Sequence, residues 1–317
     1  MRWPTFIIGA SLAFTACSSG TATPNSPIAP QSSKFAIVAG TQDQNQALQG
    51  LDFYPPSLSV NVGDTVSWSF PTGEPHTVTI VPAGQSVPPP SDPNAPKPSG
   101  STTTDGTAYS SSGFQLLGGK YSLMFTKAGS YTYRCLIHPG MSGTVVVRAA
   151  GTAYPQTQAQ LDAAAAAGES ADLASASAAL ATFPYTAHGT HLAVGISPAA
   201  PGGAPAASST VLRFLSSPAL SDQSVTIPAG TTLTWTNLSN NEPHTVSIAA
   251  DGQTFPKVNP PGTPTGNTTF DGTAFSNSGI IPPGQSYSLT FTKAGTYTVH
   301  CVFHDDTENM ISTVIVV

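Results

Sequence analysis

The clearest alternation of apolar and polar positions lies at residues 122–125 (Ser-Leu-Met-Phe) and 131–134 (Tyr-Thr-Tyr-Arg), with Lys127-Ala128-Gly129 between them. Alternation with period two, broken by a glycine turn, predicts a pair of antiparallel strands. Residues 144–148 form a third β-rich segment, and 60–70 and 76–81 add two more, parted by a Pro/Gly turn. Residues 35–39 and 191–196 read as opening strands of two halves. The Pro- and Gly-rich stretches 82–104 and 249–269 predict loops, because proline removes ladder donors and stops strand growth. Only 156–181 departs from this pattern. It is Ala-rich, carries Leu161, Leu173 and Leu180, and has Gly168 in its middle. It predicts one broken helix or two short ones packing across a domain junction.

The two halves are copies. Residues 105–135 and 271–301 align without a gap at an offset of 166, with 19 of 31 positions identical. Glu74-Pro75-His76-Thr77-Val78 recurs as Glu242-Pro243-His244-Thr245-Val246, and Val66-Ser67-Trp68 as Leu233-Thr234-Trp235. Such a period is too long for a solenoid and marks a duplicated domain. Short strands without βα alternation predict an all-β fold of two tandem Greek-key β-sandwiches, 34–150 and 186–317, joined by an Ala-rich helical linker at 151–185. Trp68, Trp235, Phe125 and Phe291 are expected in the cores.

Composition narrows the function classes. Lys+Arg number 10 and Asp+Glu 16, so only 8% of residues are charged and the net charge is −6. No basic footprint for nucleic acid follows from these numbers. Residues 1–16 combine Arg2, an apolar run from Phe6 and small residues, as an export signal does. That run is too short to span a bilayer. Cys17, after Phe14-Thr15-Ala16, resembles the acylated cysteine of a bacterial lipoprotein, with Phe14 where leucine is usual. The resemblance implies a lipid anchor at Cys17, a flexible Ser/Pro tether over 17–33 and an extracytoplasmic location. Soluble secretion is the alternative.

The remaining cysteines, Cys135 and Cys301, occupy one equivalent position per copy. In an exported protein an unpaired thiol needs an occupant for its sulfur. Cys135-Leu136-Ile137-His138-Pro139-Gly140-Met141 sets a thiolate, an imidazole and a thioether within seven residues. The second copy reads from Cys301 through His304 to Met310, and each copy holds a second histidine, His76 or His244, far upstream. Two imidazoles, one thiolate and a weak axial thioether make the donor set of a blue copper centre. Structural zinc prefers four strong ligands, which methionine does not supply.

Both copies resemble the plastocyanin/azurin family of cupredoxins. The resemblance implies ligands His76, Cys135, His138 and axial Met141 in the first copy, whose short loop is similar to that of amicyanin. In the second they are His244, Cys301, His304 and Met310, with five residues between His304 and Met310 instead of two. Two type 1 copper ions per monomeric chain follow, with redox proteins docking transiently near the loop histidines His138 and His304, the ligands nearest solvent in the family. Glu74 and Glu242 either orient the histidine two residues on, from outside the metal's ligands, or hold the preceding turn. Asp305, Asp306 and Glu308 read as a solvated loop or as acids that steer a basic partner. Two rival readings stay open. One is a two-domain copper enzyme, resembling nitrite reductases or multicopper oxidases, with a further site at His300 helped by His188 and His191. The other is a single-centre carrier with a degenerate second site.

Overall fold

The computed structural model describes residues 33–89, 92–184, 190–198, 209–217, 219–249, 255 and 264–317. The signal segment, Cys17 and His188 lie outside the described residues.

The first half forms β1 (Lys34–Gln42), β2 (Leu48–Tyr54), β3 (Ser57–Asn61), β4 (Thr65–Ser69), β5 (Thr79–Ile80), β6 (Thr103–Thr104), β7 (Ser110–Ser111), β8 (Lys120–Phe125), β9 (Gly129–Arg134) and β10 (Ser142–Arg148). One helix follows, α1 (Gln158–Thr182). The second half repeats the set as β11 (His191–Ile196), β12 (Ser209–Leu215), β13 (Ser224–Ile227), β14 (Thr231–Leu238), β15 (Ser247–Ile248), β16 (Thr269–Phe270), β17 (Ser276–Asn277), β18 (Ser286–Phe291), β19 (Gly295–His300) and β20 (Ile311–Val316).

Each half is a two-sheet sandwich. In the first, β2-β1-β4-β8-β6 faces β3-β10-β9-β5-β7; in the second, β12-β11-β14-β18-β16 faces β13-β20-β19-β15-β17. The order is the same in both, as duplication requires. Alternation along β8 and β9 sends Leu123, Phe125, Tyr131 and Tyr133 inward. The expected aromatics Trp68 and Phe125 fill one core, Trp235 and Phe291 the other. The predicted strand over 60–70 is two strands in different sheets. Asp64 divides them: its carboxylate accepts the Asn61 and Ser33 N–H groups at 2.7 and 2.8 Å, and Gly63 at φ +94° turns the chain.

Edge strands β2 and β12, unforeseen in the sequence pattern, pair antiparallel through Ser209–Gly50, Thr210–Gln49 and Val211–Leu48. Two sheets thereby fuse into one of ten strands, and neither inner edge is left open. Helix α1 is unbroken, capped by Thr157 and Gln160 in a reciprocal capping box. It packs across the junction, with Leu161 in the first core and Ala176 and Leu180 against Val211 and Leu215 of β12. Gly168 does not break it. A side chain there would meet the Tyr54 ring at 3.0 Å, so glycine lets the helix lie close on β2.

Candidate metal centres

In each sandwich the end of a strand delivers the cysteine and the loop behind it delivers the second histidine. Cys135 follows β9, and Cys301 follows β19. The first histidine sits ahead of the short strand beside it, fixed by a two-way backbone bridge: His76 to Gln115, His244 to Ile281. Cys135 Sγ lies 4.0 Å from His76 Nδ1 and 3.6 Å from His138 Nδ1, and the two Nδ1 atoms are 3.0 Å apart. Cys301 Sγ lies 3.6 Å from His244 Nδ1 and 3.3 Å from His304 Nδ1. Three donors therefore converge in each copy, all buried.

The surroundings favour a bound cation. Each thiol sulfur accepts one backbone N–H, from Thr77 or Thr245, at 3.4 Å. Burial opposes ionisation of Cys135, but the His138 and His76 rings beside it outweigh burial and hold the thiol well below its usual range. The same balance around His304 and His244 takes Cys301 down to about 5. Burial also holds His76 and His244 below the ordinary imidazole value, in the neutral form that a metal ligand needs. A thiolate with two neutral imidazole nitrogens is a donor set that suits copper.

A family model for copper-binding proteins of the plastocyanin/azurin family matches residues 40–148 and 218–317. The chain belongs to that family. A curated relative, amicyanin from Paracoccus denitrificans, is 35% identical over 97 residues, covering 31% of this chain and 59% of its own length. The chain thus spans well under two thirds of that relative. Two solved amicyanin structures are also similar. An oxidised methionine-to-lysine mutant is 26% identical, covering 36% of this chain and 82% of that one at a TM-score of 0.26. A reduced proline-to-phenylalanine mutant is 27% identical, covering 38% and 87% at a TM-score of 0.25.

Within this plastocyanin/azurin framework, Met141 and Met310 come to equivalent places. Both are buried, and their carbonyls accept the N–H of Cys135 at 3.0 Å and of Cys301 at 3.2 Å. The residue before each has positive φ: Gly140 at +104° and Asn309 at +53°. Asparagine tolerates this region better than most side chains, so the longer loop ends in a similar turn. Its extra length is absorbed by residues 305–308. The carbonyl of Glu308 accepts from buried Arg213 at 2.6 Å, and Arg213 also donates to the first sandwich at the Asn45 carbonyl, 2.5 Å away. Glu308 is buried, Asp305 pairs with His300 at 3.1 Å, and Asp306 alone of the three loop acids is exposed. The acid cluster is therefore not a surface patch.

Two glycines escaped sequence reasoning. Gly40, at φ +75°, and Gly195, at +68°, occupy irregular registers in β1 and β11. A Cβ on either would collide with Nε2 of His76 or His244. These glycines cover the ring nitrogen facing away from the cysteine, which has no hydrogen-bond partner among the described residues. The signal was present, since both glycines interrupt apolar strands.

The loop histidines are not at the surface. His138 is 0% exposed and His304 2%. The two loops face each other across the sandwich junction, with Glu74 and Glu242 between them. Neither glutamate pairs with the histidine two residues on. Glu74 reaches His138 Nε2 and His304 Nε2, each at 3.2 Å, while Glu242 reaches the same atoms at 3.2 and 3.8 Å. These carboxylates and the neighbouring thiolates outweigh burial and raise both loop histidines well above the ordinary value. His300, the extra-ligand candidate, stacks on Phe255 at 4.2 Å and belongs to none of the potential ligand clusters among the described residues, which are the two centres and the Glu74, His138 and Glu242 group. Neither does His191.

Proposed function

We propose that the protein is a blue copper electron carrier with one type 1 ion in each sandwich. His76, Cys135, His138 and Met141 hold the first, and His244, Cys301, His304 and Met310 the second. Copper bound there supplies a one-electron Cu(I)/Cu(II) couple. The chain supplies the frame: strand ends and a loop of a packed sandwich hold the donors, so that they shift little between oxidation states. The observation that carries this reading is the convergence of one thiol and two Nδ1 atoms twice, in a copper-binding family.

Partners on this reading are redox proteins that dock transiently over the loops, where Pro139, Gly140 and Asp306 are exposed around the buried rings. The carrier works outside the cytoplasm as a monomer, tethered through acylated Cys17. No helix among the described residues is long and apolar enough to cross a membrane.

Copper titration of the purified protein tests the reading. Two equivalents per chain, each adding intense visible absorption and a type 1 paramagnetic signal, are expected, with Cys135→Ser and Cys301→Ser each removing one. Blue colour that survives intact in Cys301→Ser identifies a single-centre carrier. A type 2 signal lost on changing His300, with nitrite or oxygen turnover, identifies an enzyme instead.

A further inference from the structure

Glu74 and Glu242 place two buried acids directly beside the ligand sets. Both are almost wholly buried, at 3% and 1% exposure. Burying two like charges side by side is costly unless something specific compensates. Among the described residues, their ion pairs are with His138 and His304 alone. A glutamate that merely held its own turn would have no reason to face the opposite copy's loop. Yet each does so, and the repeated Glu-Pro-His motif puts the two carboxyls in the same setting about the junction.

The atoms engaged matter. In each loop histidine Nδ1 faces the cysteine sulfur and Nε2 faces the carboxyls. A ring bound to metal through Nδ1 carries its only proton on Nε2. Two N–H donors then meet two carboxylates. Glu74 accepts from the His138 ring at Oε1 and sets Oε2 3.2 Å from the His304 ring as an ion-pair contact, spanning both. A copper(II)–thiolate unit in each site would carry one net positive charge, opposite in sign to the carboxylates beside the rings.

We propose that Glu74 and Glu242 bridge His138 to His304, making the two centres one unit in which an electron delivered to either copper redistributes to the other within the chain. The proposal rests on both sites holding copper. One electron passes, the donor Cu(I) becoming Cu(II) and the acceptor Cu(II) becoming Cu(I). No bond is made or broken and no further reactant is needed. Here the glutamates are positioning residues, each aligning a ring edge with its counterpart in the other copy.

The test uses the copper-loaded full chain and the variants Glu74→Gln, Glu242→Gln and their double. Glutamine keeps the shape but has one acceptor oxygen; its amide N–H would point donor-to-donor at the second ring. Copper content and visible absorption come first, and fewer than two blue centres in the unaltered protein defeats the two-centre reading and the bridge with it. With two present, less than one electron equivalent is injected by flash photoreduction. Redistribution is then followed by absorption and freeze-quenched paramagnetic resonance, with Cys135→Ser and Cys301→Ser supplying each centre's spectrum. The expected result is a redistribution rate independent of protein concentration. It falls severalfold in each single variant, because a carboxylate that aligns the two ring edges is lost. Both midpoint potentials rise as negative charge is removed, and Asp162→Asn, on the exposed face of α1, changes neither readout. Concentration-dependent redistribution, or an unchanged rate in single variants that keep both blue centres, overturns the bridge. So does a third bound metal ion lost in the double variant, which would make the carboxyl pair a metal site.

Discussion

Gly40 shows how narrowly each centre is built. Alanine at φ +75° costs about 1–2 kcal/mol in backbone strain alone, and its methyl would occupy the space of the His76 ring. Gly40→Ala is expected to cut copper content from two equivalents to one while the second centre keeps its colour, and Gly195→Ala to do the converse. Asp52 offers a separate prediction. Partial burial, then the nearby charge of Asp172, push its carboxyl up to about 6 from 3.8, against one favourable Phe53 N–H. The folded chain therefore holds this proton more tightly than the unfolded chain. Its contribution is fully present below about pH 4 and is lost as pH rises through 6. At most about 3 kcal/mol is at stake, less because solvent reaches part of the side chain. Asp52→Asn is expected to raise the urea midpoint at pH 7.5 and leave it unchanged at pH 4.

At the scale of elements, α1 holds the joined sheet by contacts that amphipathicity alone would not foretell. Its four buried residues are Leu161, Ala165, Ala176 and Leu180, two of them alanines that allow close approach to the sheet. Tyr54, at the end of β2, runs along the helix from Gly168 to Asp172 and donates to the Asp172 carboxylate at 2.5 Å. Tyr54→Phe keeps the ring and deletes that bond, and is expected to cost about 1.5–3 kcal/mol in denaturant unfolding with both copper spectra unaltered. The alternation of β8, β9, β18 and β19 was readable because each shows one face to a core. β2 and β12 were not. Leu48-Gln49-Gly50-Leu51 has no simple alternation, because this edge is covered by the other sandwich and by α1 instead of by water.

At the scale of the whole molecule, Arg213 ties the second metal loop to the first sandwich. Its guanidinium donates to the carbonyls of Asn45, Leu212 and Glu308, all within 2.7 Å, and burial holds its basicity below the ordinary value. Arg213→Ala strands the buried carbonyls of Leu212 and Glu308 at about 1–3 kcal/mol each. A drop in thermal midpoint is expected, together with a changed spectrum at the Cys301 centre and an unchanged one at Cys135. Junction burial also bears on how electrons enter, since the ring edges of His138 and His304 face carboxylates instead of solvent.

Duplication, sandwich class and the clustered cysteine, histidine and methionine of each loop were legible from sequence because they rest on local rules. Strand alternation depends on residues two apart, and the cysteine, second histidine and methionine of each loop travel together on one short segment. The roles of Glu74 and Glu242 were not legible, since the motif places each beside a histidine it does not pair with. Nor was the burial of His138 and His304, which an isolated sandwich would leave at its surface. Those features arise only when β2 pairs with β12 and sets one copy's loop against the other. Contacts between copies depend on the register and packing of distant strands, and no periodicity within either copy encodes them.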